Sequence, residues 1–230
     1  MLQVILYVAV TCGALVVGAV LGCLRTPPRQ LTAGALAFAS GALVVAVAFE
    51  LFQPAHRQAG LVLASAALLV GAATFIAVDL LLQRRAGAQA AGLALVAAAT
   101  LDGVPENLAL GVGLADSASY ALLVSIAVSN LPEGFGGAAR MREGGASRAR
   151  VLVVWGLTAL LLAIALVAGR LLADVASEQW LGMLAAFAAG AVLAALADSV
   201  MPEAYVDGGP LVAFATSGGF LLAYALTTLD

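Results

Sequence analysis

The sequence has few of the side chains that build most redox, metal and catalytic sites. It contains two cysteines and one histidine, and all ten of its basic residues are arginine. Cys12 and Cys23 both fall in the first apolar segment, where they suit helix packing, so neither a disulfide scaffold nor a CxxC metal site is supported. The only histidine is His56, and the chain has no HExxH zinc-protease motif and no phosphate-binding P-loop.

Charge is also scarce. Charged residues make up 10% of the chain and hydrophobic residues 63%, whereas a soluble globular protein is about 25% charged and about 45–50% apolar. This composition predicts an all-α integral membrane protein. The net charge of −3 says little, because the side of the membrane on which each charge lies matters more. The N-terminal stretch lacks basic residues, so we interpret it as the start of a retained span and not as a cleaved signal peptide.

Eight apolar segments are long enough to cross a bilayer, which takes about 20 residues. The connections between them are short, and none is long enough for a soluble domain. We therefore expect one transmembrane domain over residues 1–230. The predicted spans are Leu2–Leu24, Leu31–Phe52, Leu61–Leu82, Ala88–Leu114, Tyr120–Ala139, Val151–Leu172, Leu181–Val200 and Pro210–Leu229.

The arginines are distributed unevenly between the two sides of the predicted bundle. Eight of the ten lie on one side, and only Arg57 and Arg170 lie on the other. The positive-inside rule makes the eight-arginine side cytoplasmic. With eight spans, both termini then lie on the extracellular or periplasmic side of the cytoplasmic membrane. The eight are Arg25, Arg29, Arg84, Arg85, Arg140, Arg142, Arg148 and Arg150.

Two neighbouring spans each carry a proline–glutamate pair near mid-length. Span four reads D-G-V-P-E-N from Asp102, and span five reads S-N-L-P-E-G from Ser129. The glutamates, Glu106 and Glu133, follow these first residues by four positions, which puts both groups on one helix face. A short loop near Asp116–Ser119 joins the two spans. We therefore expect the two motifs to face each other, about 20 Å below the outer turn.

Carboxylates at this depth are costly, and by default they mark an ion or substrate pathway. Pro105 and Pro132 each remove one helix hydrogen bond and disturb the carbonyl four residues back. Freed backbone groups are tolerated at membrane depth only where protein or a cavity satisfies them. Carboxylate, carboxamide, hydroxyl and carbonyl oxygens together suit a divalent cation. The predicted metal ligands are Asp102, Glu106, Ser129, Asn130 and Glu133.

Acidic residues near the cytoplasmic ends of spans three and seven predict an exit path. A transported ion needs sites that hold it weakly enough to release it. The candidates are Asp79, Glu203 and Asp207. The alternative for each is ordinary solvation at the membrane interface, where acidic residues are common.

The two central motifs resemble those of the ZIP (Zrt/Irt-like) family of divalent metal-ion transporters. That family has eight spans, with H-N-x-P-E-G-type motifs on spans four and five. A further family-like segment, M-P-E-A-Y-V-D-G-G at Met201–Gly209, ends span seven. The resemblance implies a carrier that moves zinc, or alternatively manganese or iron, into the cytosol as its substrate. It also suggests a homodimer in the lipid bilayer, with no prosthetic group and no nucleic-acid partner.

The motifs differ from the family pattern at positions where the family has histidine or asparagine ligands. Asp102 stands where the family usually has histidine, Gly103 where it usually has asparagine, and Ser129 where histidine is common. Span six, Val151–Leu172, has no ionisable residue before Arg170, so the expectation is one metal site and not two. Loss of imidazole favours harder ions, such as manganese or iron(II), over zinc.

Two other functions stay open on the residues alone. A proton-coupled carrier of a non-metal solute could use Glu106 and Glu133 as proton relays. An intramembrane enzyme could pair the acids as aspartic proteases do, but the spans contain no GxGD motif and no nucleophile–base set. We therefore expect a transporter and not an enzyme.

Overall fold

The computed structural model describes residues 2–26, 28–85, 91–115 and 119–229. Over these residues the chain is helical, and no strand occurs among them. This confirms the all-α prediction. The helices are α1 (Leu2–Leu24), α2 (Arg29–Val45), α3 (Gln53–Ala59), α4 (Leu61–Arg85), α5 (Ala91–Gly113), α6 (Tyr120–Glu143), α7 (Arg148–Ala173), α8 (Glu178–Ala195), α9 (Met201–Gly208) and α10 (Val212–Thr227), with π-helical segments at Ala46–Phe52 and Leu196–Val200.

Among the described residues, five helical stretches are long and apolar enough to cross a membrane. Several such stretches in one chain support a membrane protein. The helix α6 is not among the five, because Asn130, Glu133 and its glycines lower its mean hydropathy. Residues 116–118 of the predicted loop and the first predicted residues of span four, 88–90, lie outside the described residues, whereas Ser119 is described. The five stretches are Leu2–Leu24, Arg29–Ala59, Leu61–Leu82, Arg148–Ala173 and Glu178–Gly208.

The two 31-residue stretches correct the predicted ends of spans two and seven. We predicted connections that begin around Pro54 and Pro202, but both segments are helical. A π-helical segment precedes each proline, and the Gln53 N–H donates to the carbonyl of Ala48, five residues back. Before Pro202, the Met201 N–H likewise donates to the carbonyl of Leu196, five residues back. Because a π turn shifts the pairing by one carbonyl, it accommodates the hydrogen bond that a proline cannot make.

The helices pack in two equivalent sets around a central pair. The helix α2 packs mainly against α10 and α4 against α8, while α1 packs against α6 and α5 against α7. The contacts are symmetric if α1–α4 correspond in order to α7–α10 and α5 corresponds to α6. Under this correspondence the α2–α10 contact matches the α4–α8 contact, and the α1–α6 contact matches the α5–α7 contact. Two structural repeats flanking a central pair would produce this pattern, and internal repeats are common in transporters. The central pair, α5 and α6, carries both proline–glutamate motifs.

Glycines allow the helices to cross closely. On α1, a methyl group added at Gly18 would overlap the carbonyl oxygen of Leu131, and one added at Gly134 on α6 would overlap that of Leu15. In lipid, such small residues bring helix backbones into contact, and this contact drives association. The other three crossings are built in the same way, by Gly41 with Gly219, Gly71 with Gly190, and Gly111 with Gly169.

The α1–α6 crossing predicts a stability difference between two glycines of the same helix. Gly18→Ala should lower the free energy of unfolding by about 1–3 kcal/mol, the usual cost of overpacking. Gly13 has nothing within 4 Å of an added methyl group, so Gly13→Ala is the matched control with the same change in helix propensity. Thermal unfolding in detergent compares the two variants. Equal unfolding temperatures would contradict the close crossing.

Candidate functional site

The two motif prolines lie inside continuous helices. Pro105 is within α5 and Pro132 is within α6, and neither helix is interrupted at the motif. Since α5 packs on α7 and α6 packs on α1, these outer helices set the depth and rotation of the motifs. The position of each carboxylate is therefore fixed by helix packing and not by a mobile loop.

The acidic side chains of the motifs lie near one another within the bundle. Asp102 and Glu106 are 9% and 3% exposed, and Glu133 is partly buried. Glu106 interacts electrostatically with Asp102, and Glu133 interacts with both. Carboxylates held this close repel one another unless protons or a cation neutralise them.

Asp102 and Glu133 line one cavity, which we call the central cavity. Its volume is about 60 Å³, which is room for a few water molecules. Its polar wall also includes Arg140, Ser199 and Glu203. The rest of the wall is formed by apolar side chains, two glycines and Trp155. One carboxylate from each motif helix thus faces a shared, water-sized space.

The other three predicted ligands are not among the residues that line the central cavity. The Ser129 hydroxyl donates to the carbonyl of Ile126 at 3.0 Å. The Asn130 side-chain amide donates to the carbonyl of Thr11, also at 3.0 Å. Glu106 is buried beside Asp102 without reaching the wall. The structure therefore brings together Asp102 and Glu133, and it places Glu106, Ser129 and Asn130 around them.

Two residues outside the predicted set connect the motif helices. Thr11 on α1 and Asn107 on α5 are both 0% exposed. The single Thr11 hydroxyl proton is shared between two acceptors, the Tyr7 carbonyl at 3.0 Å and the Asn107 side-chain oxygen at 3.2 Å. The Asn107 amide donates to the carbonyl of Gly103 at 2.9 Å, and the Gly103 N–H donates to Asp102 at 2.8 Å. With the bond from Asn130 to Thr11, α1 is tied to both motifs.

Trp155, in the wall of the central cavity, carries a buried hydrogen-bond donor. Trp155 is 1% exposed and lines the central cavity, and its indole N–H has no hydrogen-bond partner among the described residues. An indole N–H only donates, so it suits the oxygen of a water molecule and not a bare cation. The nitrogen itself is fully buried, so it does not form part of the accessible surface of the cavity.

A complete cage of protein ligands is not formed in the described part of the chain. No group of three or more His, Cys, Asp or Glu side chains there is arranged to hold a metal ion. Hard ions of the magnesium and manganese kind bind through one or two carboxylates and keep several waters. Asp102 and Glu133 with their water-sized space match that mode of binding.

Two of the three predicted exit residues lie at cavities. Glu203 lines the central cavity and forms an ion pair with Arg140. Asp207 lines a second cavity of about 300 Å³, which we call the polar cavity and whose wall also includes Arg140. Asp79, partly buried on α4, is not among the residues that line either one.

Comparison with protein-family models gives no match for this chain, and comparison with curated proteins gives no match either. The functional assignment therefore rests on the residues themselves and on the geometry of the central helix pair.

The Thr11 network predicts a measurable contribution to stability. Thr11→Val keeps the shape of the side chain but removes the hydroxyl that donates to Asn107. Because the asparagine oxygen is then buried without this donor, the free energy of unfolding should fall by about 1 kcal/mol. Thr74→Val is the matched control, since Thr74 is exposed on α4 and donates only within its own helix. Chemical unfolding in detergent that gives the same loss for both variants would contradict a tie between helices.

Proposed function

We propose that this chain is a secondary transporter that moves divalent metal ions across the cytoplasmic membrane into the cytosol. The observation that carries the proposal is the central cavity, where Asp102 of α5 and Glu133 of α6 face a common space. Ionisable groups inside a membrane bundle are rare and mark ion pathways by default. The resemblance of both motifs to those of the ZIP family supports the same function.

The proposed topology has eight spans, with both termini extracellular or periplasmic and the chain acting as a homodimer. The helices α5, α6 and α10 would add three spans to the five apolar stretches. The arginine-rich ends of α4 and α6 would then face the cytosol. Glu203 and Asp207, at the end of the stretch that contains α9, would lie on that same side.

In the proposed mechanism, Asp102 and Glu133 bind the cation and replace part of its water shell. Glu106 contributes a third negative charge close by, and the ion keeps the rest of its water shell. The carboxylates of Glu203 and Asp207 then receive the ion on its way to the cytosol. Access alternates as one set of helices moves against the other, as in other transporters built from repeats. The π-helical segments before Pro54 and Pro202 are suitable joints for this movement.

A second function, a proton-coupled carrier of a non-metal solute, is favoured by one observation. Among the described residues no three ligands already converge on a metal, whereas three neighbouring carboxylates can exchange protons. The two functions differ in what drives transport. A metal carrier moves manganese or zinc without any other solute, and the alternative moves protons only when its solute is present.

Removal of the central carboxylates should abolish metal uptake. We expect Glu133→Ala and Glu106→Ala each to reduce manganese flux into proteoliposomes to background, with little effect on expression, because each removes one of three neighbouring negative charges. A metal-sensitive dye inside the liposomes measures the flux. Glu178→Ala is the control, since Glu178 is exposed at the start of α8.

Two results of that flux assay would count against the proposal. Normal manganese uptake by Glu133→Ala would remove Glu133 from the site. Clear preference for zinc over manganese in competition would contradict the selectivity expected for oxygen ligands, although not transport itself.

A further inference from the structure

The central cavity and the polar cavity adjoin one another at two residues. The central cavity contains Asp102 and Glu133, and the polar cavity contains Asp207. Gly136 and Arg140 belong to the wall of both. Arg140 is therefore the one charged side chain that the two walls share.

Arg140 is held in place there by an ion pair between two helices. Its guanidinium, on α6, meets the carboxylate of Glu203, on α9, through both of its terminal nitrogens, and Nη1 donates to Oε2 at 3.1 Å. This two-pronged geometry is the most directional contact that an arginine makes with a carboxylate. The two side chains are 37% and 26% exposed, so the pair is neither freely solvated nor sealed inside the protein.

A second set of charges is available to Arg140 in the polar cavity. Its guanidinium is attracted by Asp207 and Glu143 and repelled by Arg29, and all three of these residues line the polar cavity. If the bond to Glu203 opens, the arginine thus has acidic partners on the polar-cavity side. Two alternative arrangements of one charged group are what a switching element requires.

Glu203 lies on a segment suited to movement. It is the third residue of α9, directly after Pro202, and the π-helical segment Leu196–Val200 comes immediately before α9. Irregular helical turns of this kind are common at functional joints. The Glu203 side of the ion pair can therefore move relative to α6 without unfolding either helix.

We propose that Arg140 is the gate between the two cavities and acts as a tethered cation. In the closed arrangement its guanidinium neutralises Glu203 and blocks the passage. An arriving divalent cation takes over Glu203, and Arg140 moves to Asp207 and Glu143. The identity of the cation that opens the gate rests on the proposed transport function. Closure of the central cavity depends only on the ion pair between Arg140 and Glu203, so it can be tested without a transport assay.

Chemical labelling of the central cavity tests this closure. Ser199 lines the central cavity, so Ser199→Cys in a chain with Cys12→Ala and Cys23→Ala reports its accessibility. The protein in lipid nanodiscs is treated with a charged methanethiosulfonate, which reaches both membrane faces but does not enter lipid. With the ion pair intact, labelling should be slow.

Loss of either charge should open the cavity. Arg140→Gln and Glu203→Gln should each raise the labelling rate of Ser199→Cys about tenfold, which corresponds to about 1.4 kcal/mol of closing free energy. The charge swap, Arg140→Glu with Glu203→Arg, should return labelling towards the starting rate. Arg170→Gln is the matched control, because it breaks a different ion pair, with Asp174 at 2.6 Å, away from both cavities.

The outcomes separate the gate from the proposed function. Unchanged labelling in both single variants would overturn the gate, and so would a similar increase in Arg170→Gln, since this would indicate general loosening. An exposed reporter, Glu178→Cys, should label at one rate in every background and so verifies that the reagent is equally reactive in each sample. If the wild-type protein moves no metal in flux assays but labelling responds as expected, the closure stands and the transport proposal fails.

The tethered-cation step has its own readout. Manganese added to the intact ion pair should speed labelling of Ser199→Cys, because the ion competes with Arg140 for Glu203. It should have no effect in Glu203→Gln, which cannot bind it in this way. If manganese does not change the labelling rate of Ser199→Cys in the protein with the intact ion pair, the proposed competition between the ion and Arg140 is overturned.

Discussion

The need to keep acidic side chains inside an apolar helix bundle governs this structure. Asp102, Glu106 and Glu133 lie within electrostatic range of one another, and ionised carboxylates in hydrocarbon are strongly unfavourable. Packing brings them together all the same, because α5 and α6 are held by glycine-mediated crossings with α7 and α1. The small water-sized space between Asp102 and Glu133 is where protons or a cation can offset that repulsion.

The polar groups around this space have distinct tasks. Thr11, Asn107 and Asn130 bind one another and the backbone, so they hold three helices in register instead of facing the cavity. The polar residues that do line it are Asp102 and Glu133, the ion pair of Arg140 with Glu203, and Ser199. Carboxylates beside an arginine ion pair suit the proposed transport of a cation that must be bound, held back and then released.

Local rules of sequence reading predicted the all-α fold, and they also led us to expect Asp102 and Glu133 near each other. The apolar run of the first segment placed α1 at Leu2–Leu24, and the four-residue spacing with matched depth brought Asp102 and Glu133 to one space. The predicted ends of the helices at Pro54 and Pro202 were wrong. The rule that a proline ends a helix does not consider the π turn that accommodates each proline here. The tasks of Asn130 and Thr11 could not be predicted, since their bond joins residues 119 positions apart and depends on how α1 crosses α6.

The central claim is that a divalent cation binds between α5 and α6 at Asp102 and Glu133. The most direct test is anomalous X-ray scattering from crystals of the wild-type protein soaked with manganese, with Glu133→Ala crystals measured in parallel. The account predicts one anomalous peak in the central cavity, about 2.0–2.4 Å from carboxylate oxygens of Asp102 and Glu133, and no peak in the variant. Peaks confined to the protein surface, or an unchanged peak in Glu133→Ala, would contradict it.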